Sequence, residues 1–312
     1  MRLFYAGDLH GSERCYRKFL NAAAFYDAQV LILGGDIAGK VMVPIVEETP
    51  GRFVATMFGR TEKIKRLDQL EDLKKRIRFN GFYPYRCDED EYERLVNDKP
   101  YQESVMSEVM VAEIRRWMKI ADEKLSGSGV RCFVMPGNDD ELEIDTALGS
   151  EVVENPDGCV VSFDGYQMLS SSWANTTPWD SPREADEERL AKILKDIAKH
   201  LAPGIPTIFN LHVPPFDSGL DTAFELDADL RVVTSAGQPK TIPVGSHAVR
   251  TLIEKHQPLV ALHGHIHESK NVARLGNTLC INPGSNYADG VLDGAIIDLE
   301  DGTVVRHQLV SG

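Results

Sequence analysis

Short apolar runs recur along the chain, and several of them end in a turn that carries a polar side chain. The clearest is the run at residues 30–33, where consecutive apolar residues predict a strand that is buried on both faces. Gly34, Gly35 and Asp36 follow it directly. Because open α/β sheets bind ligands beyond the carboxyl ends of their strands, Asp36 is predicted to lie at a ligand-binding edge. Gly-Gly-Asp on its own is more typical of a plain turn than of a ligand site.

The same pattern predicts most of a mixed α/β fold. Residues 2–6 predict a first strand, and Ser12 is a candidate cap for the amphipathic helix that follows it. With the strand at 30–33 this makes a βαβ unit, which indicates a largely parallel sheet. Further strands are predicted at residues 130–135, 159–163, 167–171, 207–211 and 259–262, helices at 184–201 and 245–256, and a hairpin turn at Asp301-Gly302.

Between residues 41 and 129 this alternation is interrupted. Runs at 41–46 and 53–58 predict a hairpin, and apolar residues from Ile64 to Ile77 and over 102–125 recur at helical spacing. After residue 129, predicted strands that are followed by polar side chains appear again. We therefore interpret residues 1–312 as a single domain with an insertion at about 41–129, a hairpin plus helices, that flanks the active site.

Composition narrows the class of protein. With 42% hydrophobic and 26% charged residues the chain is typical of a globular protein, and it has no apolar run of the length that a membrane span needs. Since residues 2–6 already predict a strand, we expect no signal peptide. The formal charge of −14 disfavours tight nucleic-acid binding. The five cysteines are scattered and never spaced Cys-x-x-Cys, so we expect a reducing cytoplasm.

The polar residues that follow the predicted strands are of metal-ligand types. They are Asp8 and His10, Asp36, Asn138, His212, and His265 with His267. Parallel strands bring their carboxyl ends to one edge, so these side chains could converge. Two ions bridged by one carboxylate would use all of them, and mixed oxygen and nitrogen donors suit Mn, Fe, Ni or Zn rather than Ca. His212 alone would more often be a hydrogen-bonded core residue, whereas the three imidazoles of residues 263–267 serve packing poorly.

The ordered fragments together carry a resemblance to a known family. Asp8-Leu9-His10, Gly35-Asp36, Gly137-Asn138, His212 and Gly264-His265-Ile266-His267 resemble the signature of the calcineurin-like metallophosphoesterases, and Asn282-Pro283-Gly284-Ser285 resembles a further fragment of it. The resemblance implies an α/β fold, a four-layer α/β/β/α sandwich of two packed sheets with helices outside. It also implies two metal sites, one formed by Asp8, His10, Asp36 and His267, the other by Asp36, Asn138, His212 and His265.

The function implied by the resemblance is hydrolysis of a phosphoester bond by a metal-bridging hydroxide. The expected substrate is a small phosphodiester or nucleotide-like molecule. The expected cofactors are two divalent metal ions, manganese first, with iron, nickel or zinc as alternatives. Asp36, Asn138, Asp139 and His10 are the expected catalytic residues. A non-catalytic, metal-stabilised interaction module and a nuclease are the alternatives, and the oligomeric state is left open.

Position 139 departs from the family pattern. The family usually has Gly-Asn-His followed by Asp or Glu, and its histidine is thought to assist the leaving group, whereas this chain has Asp139. Aspartates ordinarily titrate near pH 4, so an ionised Asp139 could not donate a proton and would repel phosphate. Three explanations stay open: substrates with good leaving groups, a proton supplied by His10 or a metal-bound water, or a raised pKa that keeps Asp139 protonated.

Candidate substrate contacts are Lys40, Asn138, Trp173 and Asn175. Lys40 follows the Asp36 loop closely enough to reach a phosphate, although a surface lysine would look the same. Trp173, Asn175 and Trp179 could stack on or bond a substrate base, although such residues are more typical of a packed loop. The Lys and Arg residues of 60–78 are interpreted as a solvated helix face, and His263 as a structural residue.

Overall fold

A computed structural model of the protein describes residues 1–235 and 237–312. Its strands are β1 (Arg2–Ala6), β2 (Val30–Gly34), β3 (Met42–Thr49), β4 (Arg52–Met57), β5 (Arg60–Ile64), β6 (Tyr83–Asp88), β7 (Arg131–Met135), β8 (Val153–Glu154), β9 (Val160–Phe163), β10 (Tyr166–Ser171), β11 (Ala174–Asn175), β12 (Glu184–Ala185), β13 (Thr207–Leu211), β14 (Thr222–Phe224), β15 (Thr234–Ser235), β16 (Gln238–Pro239), β17 (Thr241–Pro243), β18 (Val260–Leu262), β19 (Asn271–Leu275), β20 (Thr278–Asn282), β21 (Asp293–Glu300) and β22 (Thr303–Ser311). Its α-helices are α1 (Glu13–Tyr26), α2 (Leu67–Phe79), α3 (Glu89–Asn97), α4 (Lys99–Leu125), α5 (Glu187–Ala198) and α6 (His247–His256).

Two six-stranded sheets form the centre of the molecule. The first has the order β22-β21-β1-β2-β7-β8, and the second has the order β19-β20-β18-β13-β10-β9. In the first sheet β1, β2, β7 and β8 are parallel and the hairpin β21–β22 joins them through the antiparallel pairing of β21 with β1. In the second, β10, β13, β18 and β20 are parallel. Each sheet therefore presents the carboxyl ends of several neighbouring strands at one edge.

Alternate residues of the central strands face different layers. Leu3 and Ile208 lie in the apolar cluster between the two sheets. Their neighbours Phe4 and Phe209 face outward, Phe4 into a cluster with residues of α1 and α4, and Phe209 into a cluster with residues of α5 and α6. Sheets covered on both faces need apolar residues at every position, which explains the continuous runs in the sequence. The predicted four-layer α/β/β/α sandwich is confirmed.

The segment after β2 forms a smaller sheet of its own. Its strands have the order β5-β4-β3-β6, and α2 packs on it through Leu70, Leu73 and Ile77. The backbone N–H of Gly39 donates a hydrogen bond of 2.6 Å to the Tyr83 hydroxyl at the start of β6. This contact fixes the small sheet to the loop that carries Asp36.

The long helix α4 joins this small sheet to the first central sheet. Val105 packs with Leu95 of α3, whereas Ile114 and Trp117 belong to the cluster outside the first central sheet. The predicted insertion at about 41–129 thus shares α4 with the outer helical layer. The division of residues 1–312 into one domain with an insertion stays a prediction.

Most predicted elements are found within a few residues of the expected bounds. The side chain of Ser12 caps α1 by accepting a hydrogen bond from the Cys15 N–H, as expected. The helical spacing predicted from Ile64 was partly wrong, because Ile64 ends strand β5, and Leu67, although it begins α2, is 70% exposed. Within the described residues, no helix has the length and apolar character needed to cross a membrane.

Candidate metal centre

The seven predicted ligands follow five strands of the two central sheets. Asp8 and His10 follow β1, Asp36 follows β2 and Asn138 follows β7, which are neighbours in the first sheet. His212 follows β13, and the pair at 265 and 267 follows β18, its neighbour in the second sheet. The loops after β1 and β2 are joined by backbone hydrogen bonds of 2.9 Å from Asp8 to Gly35 and from His10 to Asp36.

The first group of side chains consists of Asp8, His10, Asp36 and His267. Each offers one ligand atom, and these atoms all lie within 4.8 Å of one another. The Nε2 atoms of His10 and His267 are 3.2 Å apart, and Nε2 of His10 is 3.7 Å from Oδ2 of Asp36. Oδ2 of Asp8 is buried and, among the described residues, has no hydrogen-bond partner. Convergent nitrogen and oxygen donors around an unsatisfied buried carboxylate fit a divalent cation.

The second group consists of Asp36, His212 and His265, whose ligand atoms also lie within 4.8 Å of one another. Oδ1 of Asn138 is 3.0 Å from Nε2 of His212 and 2.7 Å from Nδ1 of His265, which adds an amide oxygen to the group. Nδ1 of His212 is 2.9 Å from the carbonyl oxygen of Gly34. That contact orients the ring so that Nε2 points at Asp36, 3.3 Å from Oδ2. Asp36 is therefore common to both groups.

The backbone is strained at several of these residues. Asp8, His10, Asp36 and His265 have φ angles of 55°, 42°, 48° and 67°, in the left-handed region that non-glycine residues seldom adopt. Such strain clusters at functional sites, where the surrounding structure holds it. Gly137 permits the close approach of the loops, because a Cβ atom there would lie 2.2 Å from Oδ1 of Asp36.

Burial and the charges of neighbouring side chains shift the pKa values of Asp36, His212 and His265. Burial would raise the pKa of Asp36, but the charge of His212 lowers it below its usual range. Burial would lower the pKa of His212, but Asp36 raises it to about 10. Burial and the charge of His212 lower the pKa of His265 to about 3, which leaves its imidazole neutral at neutral pH. A cation that binds Nε2 of His212 must displace a proton, so cation binding is coupled to proton release.

Asp140 holds the loops after β2 and β7 together. Its buried carboxylate accepts hydrogen bonds from the backbone N–H groups of Gly137, Ile37 and Ala38, at 2.8, 3.0 and 2.8 Å. Burial, and then the charge of Asp36, raise the pKa of Asp140 to about 7 against these hydrogen bonds. The side chain positions Asp36 and Asn138.

Asp139 has a basic partner. Nζ of Lys40 is 2.5 Å from Oδ1 of Asp139, and Nδ1 of His10 is 3.8 Å from Oδ2. The backbone N–H of Asp139 donates to Oδ1 of Asp36 at 3.0 Å. The residue at the position of the family's histidine thus lies beside both ligand groups, with its carboxylate in an ion pair.

A cavity of about 830 Å³ opens beside the two groups. Lys40 and Asn138, both predicted substrate contacts, line it together with His10, Asp36 and Asp139.

The other two predicted substrate contacts, Trp173 and Asn175, do not line this cavity. Trp173 packs against the cluster under α5 and α6, with the Arg189 guanidinium 5.1 Å from its ring centroid. Nδ2 of Asn175 donates to the carbonyl oxygen of Val244 at 3.1 Å. Both side chains are turned toward packed structure, whereas Trp179, further along the same loop, lines the cavity.

Two neighbours of the ligand groups, Ser285 and Tyr287, were not among the predicted site residues. The ring of Tyr287 lies 4.7 Å from that of His10 and 5.8 Å from that of His267, between centroids. The Ser285 hydroxyl donates to the carbonyl oxygen of Asp8 at 2.7 Å. The fragment Asn282-Pro283-Gly284-Ser285 was the available signal for both, since it ends two residues before Tyr287.

We compared the chain with protein families, with curated sequences and with solved structures, and solved structures share its fold. No protein-family model matches the chain. The uncharacterized protein MJ1162 of Methanocaldococcus jannaschii is 30% identical over 152 residues, which are 48% of this chain; the chain covers only 62% of that relative's length. The crystal structure of TT1561 from Thermus thermophilus matches 100% of this chain and 97% of its own, with a TM-score of 0.54 and 14% identity. Yfce, a phosphoesterase from E. coli, matches 99% of this chain and 98% of its own at 11% identity, with a TM-score of only 0.33.

The chain forms an α/β/β/α sandwich of two mainly parallel sheets with helices outside. Acidic and histidine side chains lie together at the carboxyl ends of its strands. The two-sheet sandwich of this chain is shared over its whole length with TT1561, and it is the fold class that the sequence resemblance implied.

Proposed function

We propose that the protein is a metal-dependent hydrolase that cleaves a phosphoester bond of a small phosphodiester or nucleotide-like substrate. The observation that carries the proposal is the position of Asp36 in both groups of potential ligands. In the proposed arrangement one divalent cation is held by Asp8, His10, Asp36 and His267, and a second by Asp36, Asn138, His212 and His265. A shared carboxylate is typical of two-metal hydrolytic sites.

The bound cations would supply Lewis acidity, which lowers the pKa of a water molecule and neutralises charge on the phosphoryl group. The protein's own residues position these parts. The N–H of His265 donates to Oδ1 of Asp8 at 3.0 Å, which fixes the carboxylate. Lys40, which lines the cavity, would contact the phosphoryl oxygens and offset the charge of Asp139. Without a histidine at 139, the proposal favours esters with good leaving groups.

The ionic contacts of residues 60–78 support a small substrate over a nucleic acid. Arg76 pairs with Glu62 at 2.6 Å, Arg78 with Glu113 at 2.7 Å, and Lys74 with Glu71 at 2.8 Å. Cations paired with carboxylates contribute less to the phosphate neutralisation on which nucleic-acid affinity depends.

The proposed metal and compartment are manganese and the cytoplasm. Mixed carboxylate, amide and imidazole donors support manganese, with iron, nickel or zinc as alternatives. All five cysteines are free and four of them are buried, which supports a reducing compartment.

The test is hydrolysis of bis-p-nitrophenyl phosphate and of p-nitrophenyl phosphate by metal-stripped protein, with Mn, Ni, Zn and Mg added back in turn. We expect metal-dependent turnover that prefers the diester. Asp36→Asn should lower it by about two to three orders of magnitude, the typical cost of losing one electrostatic contact to a transition state.

Asp164→Asn is a matched control, because Asp164 has the same φ of 48° as Asp36 and is exposed in a loop. It should leave turnover unchanged. Absence of turnover with every metal, despite bound cations, would contradict the proposal and favour a non-catalytic interaction module.

A further inference from the structure

Part of the lining of the cavity beside the candidate metal centre is apolar. This apolar wall is formed by Trp179, Phe224, Leu226, Val232, Ile242 and Val244. Trp179 is 62% exposed, and Phe224 and Val232 are each 45% exposed. Exposed apolar side chains that line a concave site next to polar groups are typical of a ligand-binding surface.

The wall is built on elements that hold it in place. β14 pairs with β17, so that Phe224 lies opposite Thr241 and next to the pair formed by Ala223 and Ile242. Leu226 and Val232 are joined by an isolated bridge beyond this pairing. The wall is therefore organised before a ligand arrives, which lowers the entropic cost of binding.

The loop that carries Trp179 is anchored as well. The Thr177 hydroxyl and backbone N–H donate to the Glu184 carboxylate at 2.6 and 2.8 Å, and the Trp179 N–H donates to the Thr177 hydroxyl at 3.1 Å. These bonds hold the backbone of Trp179 at the cavity although most of its side chain is in water.

The cavity is larger than the reaction requires. Its volume of about 830 Å³ is in the range of sites that enclose whole organic ligands, and a phosphoryl group fills a small part of it. The polar side, with His10, Asp36 and Lys40, suits the phosphoryl group. The remaining space is bordered by the apolar wall, which suits an apolar substituent.

We infer that the substrate is a phosphoester with an apolar arm, an alkyl or aryl group of about six carbons or more, which lies on the apolar wall while the phosphoryl group occupies the metal centre. This inference rests on the proposed function and specifies its substrate class. The formal charge of −14 disfavours docking on an anionic lipid surface.

The test uses phosphodiesters that share p-nitrophenol as the leaving group and differ in the second arm: methyl, hexyl, phenyl or thymidine 5′. The bond that breaks is the same in all four, so the ratio of kcat/KM values, each divided by the uncatalysed hydrolysis rate of that ester, reports the binding of the arm. We expect the hexyl or the phenyl ester to exceed the methyl ester by about tenfold or more. Whichever of these two is faster identifies the arm as alkyl or aryl. Equal rates for all arms, or a thymidine ester faster than both, would overturn the inference.

Two variants tie the preference to the wall. Phe224→Ala should lower the ratio of the hexyl to the methyl rate by about fivefold, because it removes a half-exposed ring from the wall. Phe25→Ala, which removes a 79% exposed ring from α1 at a distance from the cavity, should leave the ratio unchanged. An unchanged ratio in Phe224→Ala would also overturn the inference.

Binding of phosphonates separates this inference from the proposed function. Hexylphosphonate should bind the metal-loaded protein about tenfold more tightly than methylphosphonate, with a change in tryptophan fluorescence that Trp179→Phe removes. If no ester is hydrolysed, the proposed function fails. The affinities of the two phosphonates then still test whether the apolar wall binds an apolar arm. Equal affinities for the two phosphonates would overturn the apolar arm whatever the turnover.

Discussion

Lys40 and Asp139 form an ion pair at the position where the family signature has a histidine. Both residues line the cavity, their side chains are 2.5 Å apart, and the lysine side chain is 46% exposed. An unpaired carboxylate there would repel an approaching phosphate, and the ammonium group offsets that charge. Because the pair is partly exposed, its effect should weaken as salt is added.

Lys40→Gln should lower kcat/KM for bis-p-nitrophenyl phosphate by about tenfold, because the variant loses a cation near the phosphoryl group and leaves Asp139 unpaired. The loss should be greater at low ionic strength than at about 0.5 M salt. Steady-state kinetics at several salt concentrations measure both effects.

The double variant Lys40→Gln/Asp139→Asn distinguishes the two causes. If repulsion from Asp139 dominates, the double variant recovers most of the lost activity; if direct contact between Lys40 and phosphate dominates, it does not. Wild-type kinetics in Lys40→Gln at low salt would rule out both roles.

At the scale of residues, the sequence could predict the ligand types but not their partners. The short fragments around Asp8, Asp36 and His265 carry their chemistry in neighbouring positions. The Lys40–Asp139 pair joins residues that are 99 positions apart, and Tyr287 reaches His10 only because the chain returns to the first sheet. Contacts of that range depend on the tertiary fold, which no local pattern contains.

Between elements, a charged network ties α1 to α4 and α2. The carboxylate of Glu13, in α1, is buried and pairs with Arg116 of α4 and Arg17 of α1. Arg116 also pairs with Glu113, which in turn pairs with Arg78 of α2. A buried charge with these partners stabilises the fold only while all of them are present and ionised.

Glu13→Gln should lower the free energy of unfolding at pH 7 by about 2 kcal/mol, because it removes charge-assisted hydrogen bonds from a buried site. Burial would raise the pKa of Glu13, but Arg116 and then Arg17 lower it below its ordinary value of 4.5. A depressed folded-state pKa stabilises the protein above that ordinary value, and the stabilisation disappears as the pH falls through the folded-state pKa. The difference between wild type and variant should therefore shrink below pH 4.5.

Urea unfolding at pH 7, 5, 4 and 3 measures this difference. Asp196→Asn, which disrupts an exposed pair with Lys199 on α5, is the control and should leave the unfolding curve unchanged at each pH. A Glu13→Gln curve that coincides with that of wild type at pH 7 would show that the network adds no stability.

The sequence predicts elements that have a strong apolar pattern, whereas the strands of the small sheet are harder to predict from it. β2 is buried along its whole length, so its continuous apolar run is unambiguous. β5, with the sequence Arg-Thr-Glu-Lys-Ile, is largely exposed and buries only Ile64. A strand at the edge of a small sheet carries little apolar signal, and its pairing with β4 is decided by the fold of the whole segment.

At the scale of the whole molecule, the function proposed depends on two sheets meeting at one edge. The first sheet brings Asp8, Asp36 and Asn138, and the second brings His212 and His265. Neither sheet alone contains a complete set of ligands for either proposed cation. Cations shared between the sheets would therefore join the two halves, and their loss should loosen the packing between them.

The most direct test of the account is the number of cations that the protein binds. Metal-stripped wild-type protein, Asp36→Asn and the control Asp164→Asn are titrated with Mn²⁺ by calorimetry, and the bound metal is counted by elemental analysis. The shared-carboxylate account predicts two cations per chain for wild type and the control. In Asp36→Asn it predicts the loss of at least one cation, or affinities weakened by about 10–100-fold or more. Two cations bound with unchanged affinity in Asp36→Asn, or none in wild type at millimolar Mn²⁺, would contradict it.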